Sequence, residues 1–102
     1  LNIYNVIMKL LRFEWDFDKN TENKRKHGLS FEEAQAVFLD ENALMIHDPD
    51  HSDEEDRFIL LGLSARIRLL AVCHCYRKND EVIRIITARK ATRNEQKRYW
   101  ER

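Results

Sequence analysis

Glu81–Trp100, EVIRIITARKATRNEQKRYW, decides the fold, because in it a β-branched strand runs straight into a capped, basic helix. Val82, Ile83, Ile85 and Ile86 read as a buried strand, since β-branched residues suit a packed, pleated surface and the run is short. With side chains alternating, Arg84 falls with Val82, Ile86 and Ala88, and Arg89 falls on the other face with Ile83, Ile85 and Thr87. Thr92-Arg93-Asn94-Glu95 is a capping box, in which Thr92 caps the backbone and Glu95 returns the bond. Arg93, Lys97 and Arg98 follow on that helix, so Arg84 to Arg102 holds seven basic residues against two acids, Glu95 and Glu101. A polyanion is the natural partner of such a stretch.

Upstream, Arg57–Gly62 (RFILLG) and Ile67–Tyr76 (IRLLAVCHCY) read as strands separated by a turn at Leu63–Arg66, with Ile67–Tyr76 at the sheet centre. Lys78, Asn79 and Asp80 turn the chain back into Val82. Asn42–His47 (NALMIH) reads as another strand, followed by an Asp-, Ser- and Pro-containing loop, DPDHSDEED. Ser30–Glu33 (SFEE) is a second capping box, and Phe31, Ala34, Val37 and Phe38 recur at helical spacing behind it. The helix before that, DKNTENKRKHG, is almost wholly polar; Asp16 or Asp18 caps it, and Lys24, Arg25, Lys26 and His27 close it at Gly28, as the helix dipole and a left-handed cap favour. Leu11, Phe13 and Trp15 alternate with charged residues as a short half-buried strand. A strand, two helices, four antiparallel strands and a last helix predict an α+β domain with the two N-terminal helices packed on an antiparallel sheet.

At 102 residues, 43% hydrophobic and 35% charged, the chain makes one domain, 1–102, with an adequate but small core. Residues 1–8 read as an extension, Met8 being a more natural beginning than Leu1. The zero net charge hides a partition, because Asp40 to Asp56 carries eight acids and no Lys or Arg whereas the C-terminal stretch is basic. Cys73 and Cys75 share one strand face and are not placed to bridge, which fits a reducing, cytoplasmic setting. No apolar run approaches the length of a membrane span.

His74 faces away from both thiols and no second ligand pair exists, so a zinc site is not expected; His47 and His51 flank an acidic loop whose turn composition explains them equally well. No P-loop or dinucleotide fingerprint is present, so neither a nucleotide nor any other cofactor is expected. What remains is a set of arginines, the Lys26-His27 pair at a helix end, and Glu55 just before Arg57. Cutting RNA without metal needs a base for the 2′-OH proton, cations on the pentavalent phosphorane and an acid for the leaving 5′-oxygen, and arginine suits the second task because its planar fork meets phosphate at two points. Each choice has a plain structural alternative: Arg84 as half of an ion pair across the sheet, His27 as a C-terminal cap, Glu55 as a solvated acid, Tyr99 and Trp100 as packing.

WDFDKNTENKRKHGLSFEEAQAVF, DPDH, EEDRFILLG and EVIRIITARKATRNEQKRYW, in that order, resemble the BrnT toxin family over about Phe13 to Trp100. The resemblance implies a fold like that of the RelE-type ribonuclease toxins, and the toxin half of a type II toxin–antitoxin pair that cuts RNA to halt growth. Its implied partner is a ribbon-helix-helix antitoxin, BrnA, in a complex with two copies of each chain that binds operator DNA through the antitoxin. Carried over residue by residue, it points to Lys26, His27, Glu55, Arg57, Arg84 and Arg89 as catalytic. His27 or Glu55 would serve as base or acid, Arg84 and Arg89 would hold the phosphate, and Lys26 would steer the RNA with Arg93, Lys90, Lys97 and Tyr99. A non-catalytic nucleic-acid-binding or antitoxin-partner module is the alternative.

Overall fold

Leu69–Arg77 (β4) lies in the middle of a five-stranded sheet, as its apolar content predicts. The computed structural model describes residues 11–48 and 56–102, so Glu55, His51 and most of the acidic loop lie outside it. The remaining elements are β1 (Arg12–Glu14), α1 (Phe17–His27), α2 (Phe31–Ala34) continued as a 3₁₀ turn over Gln35–Leu39, β2 (Leu44–His47), β3 (Phe58–Leu63), β5 (Val82–Lys90) and α3 (Arg93–Trp100). The sheet order is β1-β5-β4-β3-β2. β2 through β5 pair antiparallel as expected. β1, however, runs parallel to β5, so the sheet is mixed and not wholly antiparallel. No hairpin joins those two strands, and the long chain between them leaves their relative direction open.

The local signals of the helices are realised except in one half of the second capping box, where Glu33 turns its carboxylate to Ser64 and Arg68 and not back to Ser30. Asp16 caps α1 by accepting from Lys19 N–H at 3.0 Å, and Gly28 ends it in the left-handed region at φ 67°. Ser30 caps α2, and Thr92 with Glu95 closes a complete capping box on α3. Behind Ser30 the helix tightens to 3₁₀ geometry after one turn. Phe31, Ala34 and Val37, all fully buried, are spaced by three, which matches the three residues per turn of that helix.

One sheet face carries Leu60, Leu70, Val72, Ile83, Ile85 and Ala88 against Leu29, Phe31, Ala34 and Val37. Each large side chain buried there contributes roughly 1.5–3 kcal/mol. Among the described residues the other face meets α3, whose Tyr99 packs on Leu61 and Ala71. Gly62 lets the 3₁₀ turn approach β3, since a Cβ at that position would stand 2.8 Å from Val37 Cγ1.

α1 has no apolar stripe, and it docks through two buried amides three residues apart. Asn20 Oδ1 accepts from Phe31 N–H at 2.9 Å, while its Nδ2 donates to Glu32 at 2.7 Å. Asn23 donates to the carbonyls of Leu29 and Ala88, both at 2.8 Å, and accepts from Ala88 N–H at 3.1 Å. β1 covers β5 only from Val82 to Arg84, and further along the Asn23 amide takes up the exposed strand edge at Ala88.

Candidate functional site

The site begins with a bulge in β5. Cys73 stands opposite Thr87 and His74 opposite Ile85, so Ile86 is one residue too many for the pairing. Simple alternation assigns Arg84 and Arg89 to opposite faces, and the bulge overturns that assignment by resetting the period between them. Arg84 pairs with Cys75, Thr87 with Cys73 and Arg89 with Ala71, so all three share the face that α1 and α2 do not cover. Ala88 turns instead into the helix-covered core, fully buried.

On the open face Arg57 and Arg89 come together in a cavity of about 210 Å³, with Asp48, Cys73 and Thr87, over a floor of Ile59 and Ala71. A second cavity of about 210 Å³ lies beside α1 and is lined by Lys26 and His27. Ile86 and Thr87 border both cavities, so the bulge is where the two meet. Asn23, one turn before His27 on the same helix, holds α1 to β5 next to that point.

Arg89 is held firmly. Its Nη1 donates to Glu95 Oε1 at 2.7 Å and its Nη2 to Oε2 at 3.0 Å. That fork, with burial opposing and the charges of Glu95 and Asp48 adding, raises the arginine's pKa further above its ordinary value. Reciprocally, the hydrogen bonds from Arg89, reinforced at Thr92 and against the effect of burial, hold the Glu95 carboxyl below the usual carboxylate range. Burial and the neighbouring Asp48 charge push the Cys73 thiol up to about 11, so at neutral pH it is a protonated thiol and not a nucleophile.

Asp48 is absent from the residues singled out in the sequence, yet it is 6% exposed and lines the arginine cavity, with Cys73 Sγ 3.8 Å from its Oδ2. Its backbone N–H donates to the Arg57 carbonyl at 2.9 Å, continuing the β2–β3 ladder one step past His47 and Phe58. Strand register was the only signal that could have paired these two residues.

The other expected site residues are spread more widely. Arg84 Nη1 donates to Glu14 at 2.7 Å, its register partner on β1, and so takes the cross-sheet ion pair that was its structural alternative. Lys90 is exposed opposite Leu70, on the helix-covered side, while Arg93 and Lys97 are exposed on α3. Tyr99, expected to meet RNA, is 4% exposed and directs its hydroxyl to Asp40; the exposed aromatic of α3 is Trp100, at 64%. The correction has a helical cause, because Tyr99 lies four residues from Glu95 on the sheet-facing side and Trp100 is turned away. Glu55 lies outside the described residues. Among the described residues no three His, Cys, Asp or Glu side chains are grouped to hold a metal ion, and no helix is long and apolar enough to cross a membrane.

Fold and face together define the class: a small α+β domain that presents arginines on an open sheet face beside a basic helix end. The chain belongs to the BrnT family, since the family model described as "Ribonuclease toxin, BrnT, of type II toxin-antitoxin system" matches residues 15–95. Among solved structures it is similar to the ribonuclease toxin BrnT of Brucella abortus, at 25% identity and a TM-score of 0.61, covering 81% of this chain and 99% of that one. No curated protein sequence matches it. Membership makes the chain a ribonuclease toxin of a type II toxin–antitoxin system, and such a toxin has an antitoxin partner.

Proposed function

We propose that residues 1–102 form one RelE-type toxin domain, a metal-independent endoribonuclease that acts on RNA in the cytoplasm. The convergence of Arg57 and Arg89 in one open cavity, with Lys26 and His27 lining the adjoining one, carries this reading. A phosphodiester seated over the bulge meets Arg57 and Arg89 on its non-bridging oxygens. A base, His27 or Glu55, takes the 2′-OH proton, and the 2′-oxygen attacks phosphorus. The P–O5′ bond breaks and the leaving 5′-oxygen takes a proton from the other group, giving a 2′,3′-cyclic phosphate and a 5′-hydroxyl. The phosphorane carries more negative charge than the diester, and preorganised arginines act on that increment. Lys26 and the exposed Arg93, Lys90 and Lys97 draw the backbone in. In this reading we assign Arg84, whose Nη1 donates to Glu14 at 2.7 Å, to the ion pair between β1 and β5, and leave the phosphate to Arg57 and Arg89.

The antitoxin that silences this site is of the BrnA ribbon-helix-helix type, in a complex with two copies of each chain that binds operator DNA through the antitoxin. Purified antitoxin-free protein, incubated with total RNA in excess chelator, is expected to leave 2′,3′-cyclic ends, and Arg57→Ala is expected to lose about 10²–10³ in kcat with folding intact. Intact RNA in the wild-type sample, with and without added divalent ions, would leave a non-catalytic RNA- or antitoxin-binding module in its place.

A further inference from the structure

A guanidinium carries five N–H groups arranged along edges, and each edge of two parallel N–H bonds can grip two oxygens at once. Arg89 spends the edge made by Nη1 and Nη2 on Glu95, at 2.7 and 3.0 Å, and turns its remaining Nη1 N–H toward the Lys90 carbonyl at 3.4 Å. The edge formed by Nε–H and the second N–H of Nη2 has no acceptor among the described residues. It belongs to a residue that lines the arginine cavity.

Glu95 is itself fixed. Its Oε1 accepts from Thr92 N–H at 2.8 Å, and its own N–H donates to Thr92 Oγ1 at 3.2 Å. A capping box needs only one carboxylate oxygen for this bond. Oε1 accepts from Arg89 Nη1 as well as from Thr92, and Oε2 accepts from Arg89 Nη2, so one side chain ties the first turn of α3 to the guanidinium plane. The Glu95 side chain is 14% exposed, which limits competition from water.

We propose that Glu95 is a positioning residue, which fixes the Arg89 plane so that its remaining two-donor edge clamps two oxygens of one RNA phosphate. This rests on the ribonuclease reading and deepens it. The pair is neutral overall, so its contribution comes from geometry more than from attraction of RNA in the ground state. Its loss falls on kcat rather than on KM.

Glu95→Gln tests the idea, because the amide oxygen still accepts from Thr92 while the charged two-point grip on Arg89 is lost. Expected is a drop of about 10–100-fold in kcat with KM changed by less than about 3-fold and an unchanged urea midpoint. Arg89→Lys, which keeps the charge and loses the fork, is expected to drop similarly, and the double variant to be little worse than either single one. Wild-type kcat in a folded Glu95→Gln protein overturns the proposal; if that variant does not fold, undiminished cleavage by Arg89→Lys overturns it instead. If wild-type protein cuts no RNA, the ribonuclease reading fails, and the clamp is judged by the Arg89 Nε–H NMR resonance on titration with a 2′-O-methyl RNA oligonucleotide. A shift in wild type that is lost in Glu95→Gln supports the clamp, and no shift in wild type rejects it.

Discussion

Asn23→Ala removes one side chain and leaves three backbone groups without partners: the N–H and carbonyl of Ala88 and the carbonyl of Leu29. The amide is 5% exposed, so water cannot replace it without opening the joint between α1 and β5. At about 1 kcal/mol for each buried group left unsatisfied, the loss is roughly 3 kcal/mol, the range for such groups being about 1–3 kcal/mol. A domain of this size loses roughly 4–5 °C of Tm per kcal/mol, so the expected shift is about 12–15 °C. Asn23→Asp should cost more, because the carboxylate keeps an acceptor for Ala88 N–H but faces two carbonyl oxygens where the amide donated. Urea titration followed by far-UV dichroism measures both. A second consequence is functional: α1 carries Lys26 and His27 to the bulge, so RNA cleavage by the folded fraction of Asn23→Ala should fall even below the unfolding temperature. A loss of less than about 1 kcal/mol in Asn23→Ala would refute the claim that this amide is the joint, and would mean that water or a shifted helix satisfies Ala88 at little cost.

Gly62→Ala should cost about 1–3 kcal/mol in urea titration, since the new methyl group meets Val37 Cγ1 at 2.8 Å; an unchanged midpoint would mean that the 3₁₀ turn yields freely. Ile67 is 79% exposed and adopts φ 58°, a region hostile to a β-branched residue, so Ile67→Asn should raise stability by roughly 0.5–1 kcal/mol, and a destabilised variant would contradict the strain. Native Cys73 should react slowly with iodoacetamide at about pH 8 and faster as the pH approaches its raised value of about 11; rapid alkylation at neutral pH would place the thiol elsewhere. Arg68 and Ser64 hold Glu33 below its ordinary value of 4.5 despite burial, and Arg89 does the same for Glu95. Burial lowers His74 from its ordinary 6.5, opposed by the Val72 carbonyl. For all three the unfolded chain binds protons more readily, so their stabilisation is complete above the ordinary values and is lost as pH falls through the lower folded ones; a urea midpoint unchanged from about pH 7 to about pH 3 would contradict this.

What the sequence made legible was whatever local chemistry decides. Asp16, Ser30 and Thr92 start helices because their side chains satisfy N–H groups a few residues away, and Gly28 stops one because it accepts φ 67°. The four antiparallel strands follow from apolar period and turn residues. α1 was legible as a helix but not in its docking, because a helix polar all round has no stripe to read and its contacts run through Asn20 and Asn23. Asp48 was hidden among eight acids and is distinguished from the others by register alone.

The bulge at Ile86 carries no glycine and no turn residue, so strict alternation was the natural reading and gave the wrong face beyond it. Uninterrupted, that alternation would send Arg89 into the core beside Ile83 and Ile85 and place Ala88 on the open face. A guanidinium without a partner cannot be buried cheaply, and the joint with Asn23 sits at Ala88. One extra residue relieves both conflicts, turning Ala88 under α1 and Arg89 out toward Glu95 and Arg57. Core packing and site assembly therefore share one cause. An error of a single residue at Ile86 left the fold prediction almost untouched but inverted the placement of the arginine on which the proposed chemistry depends.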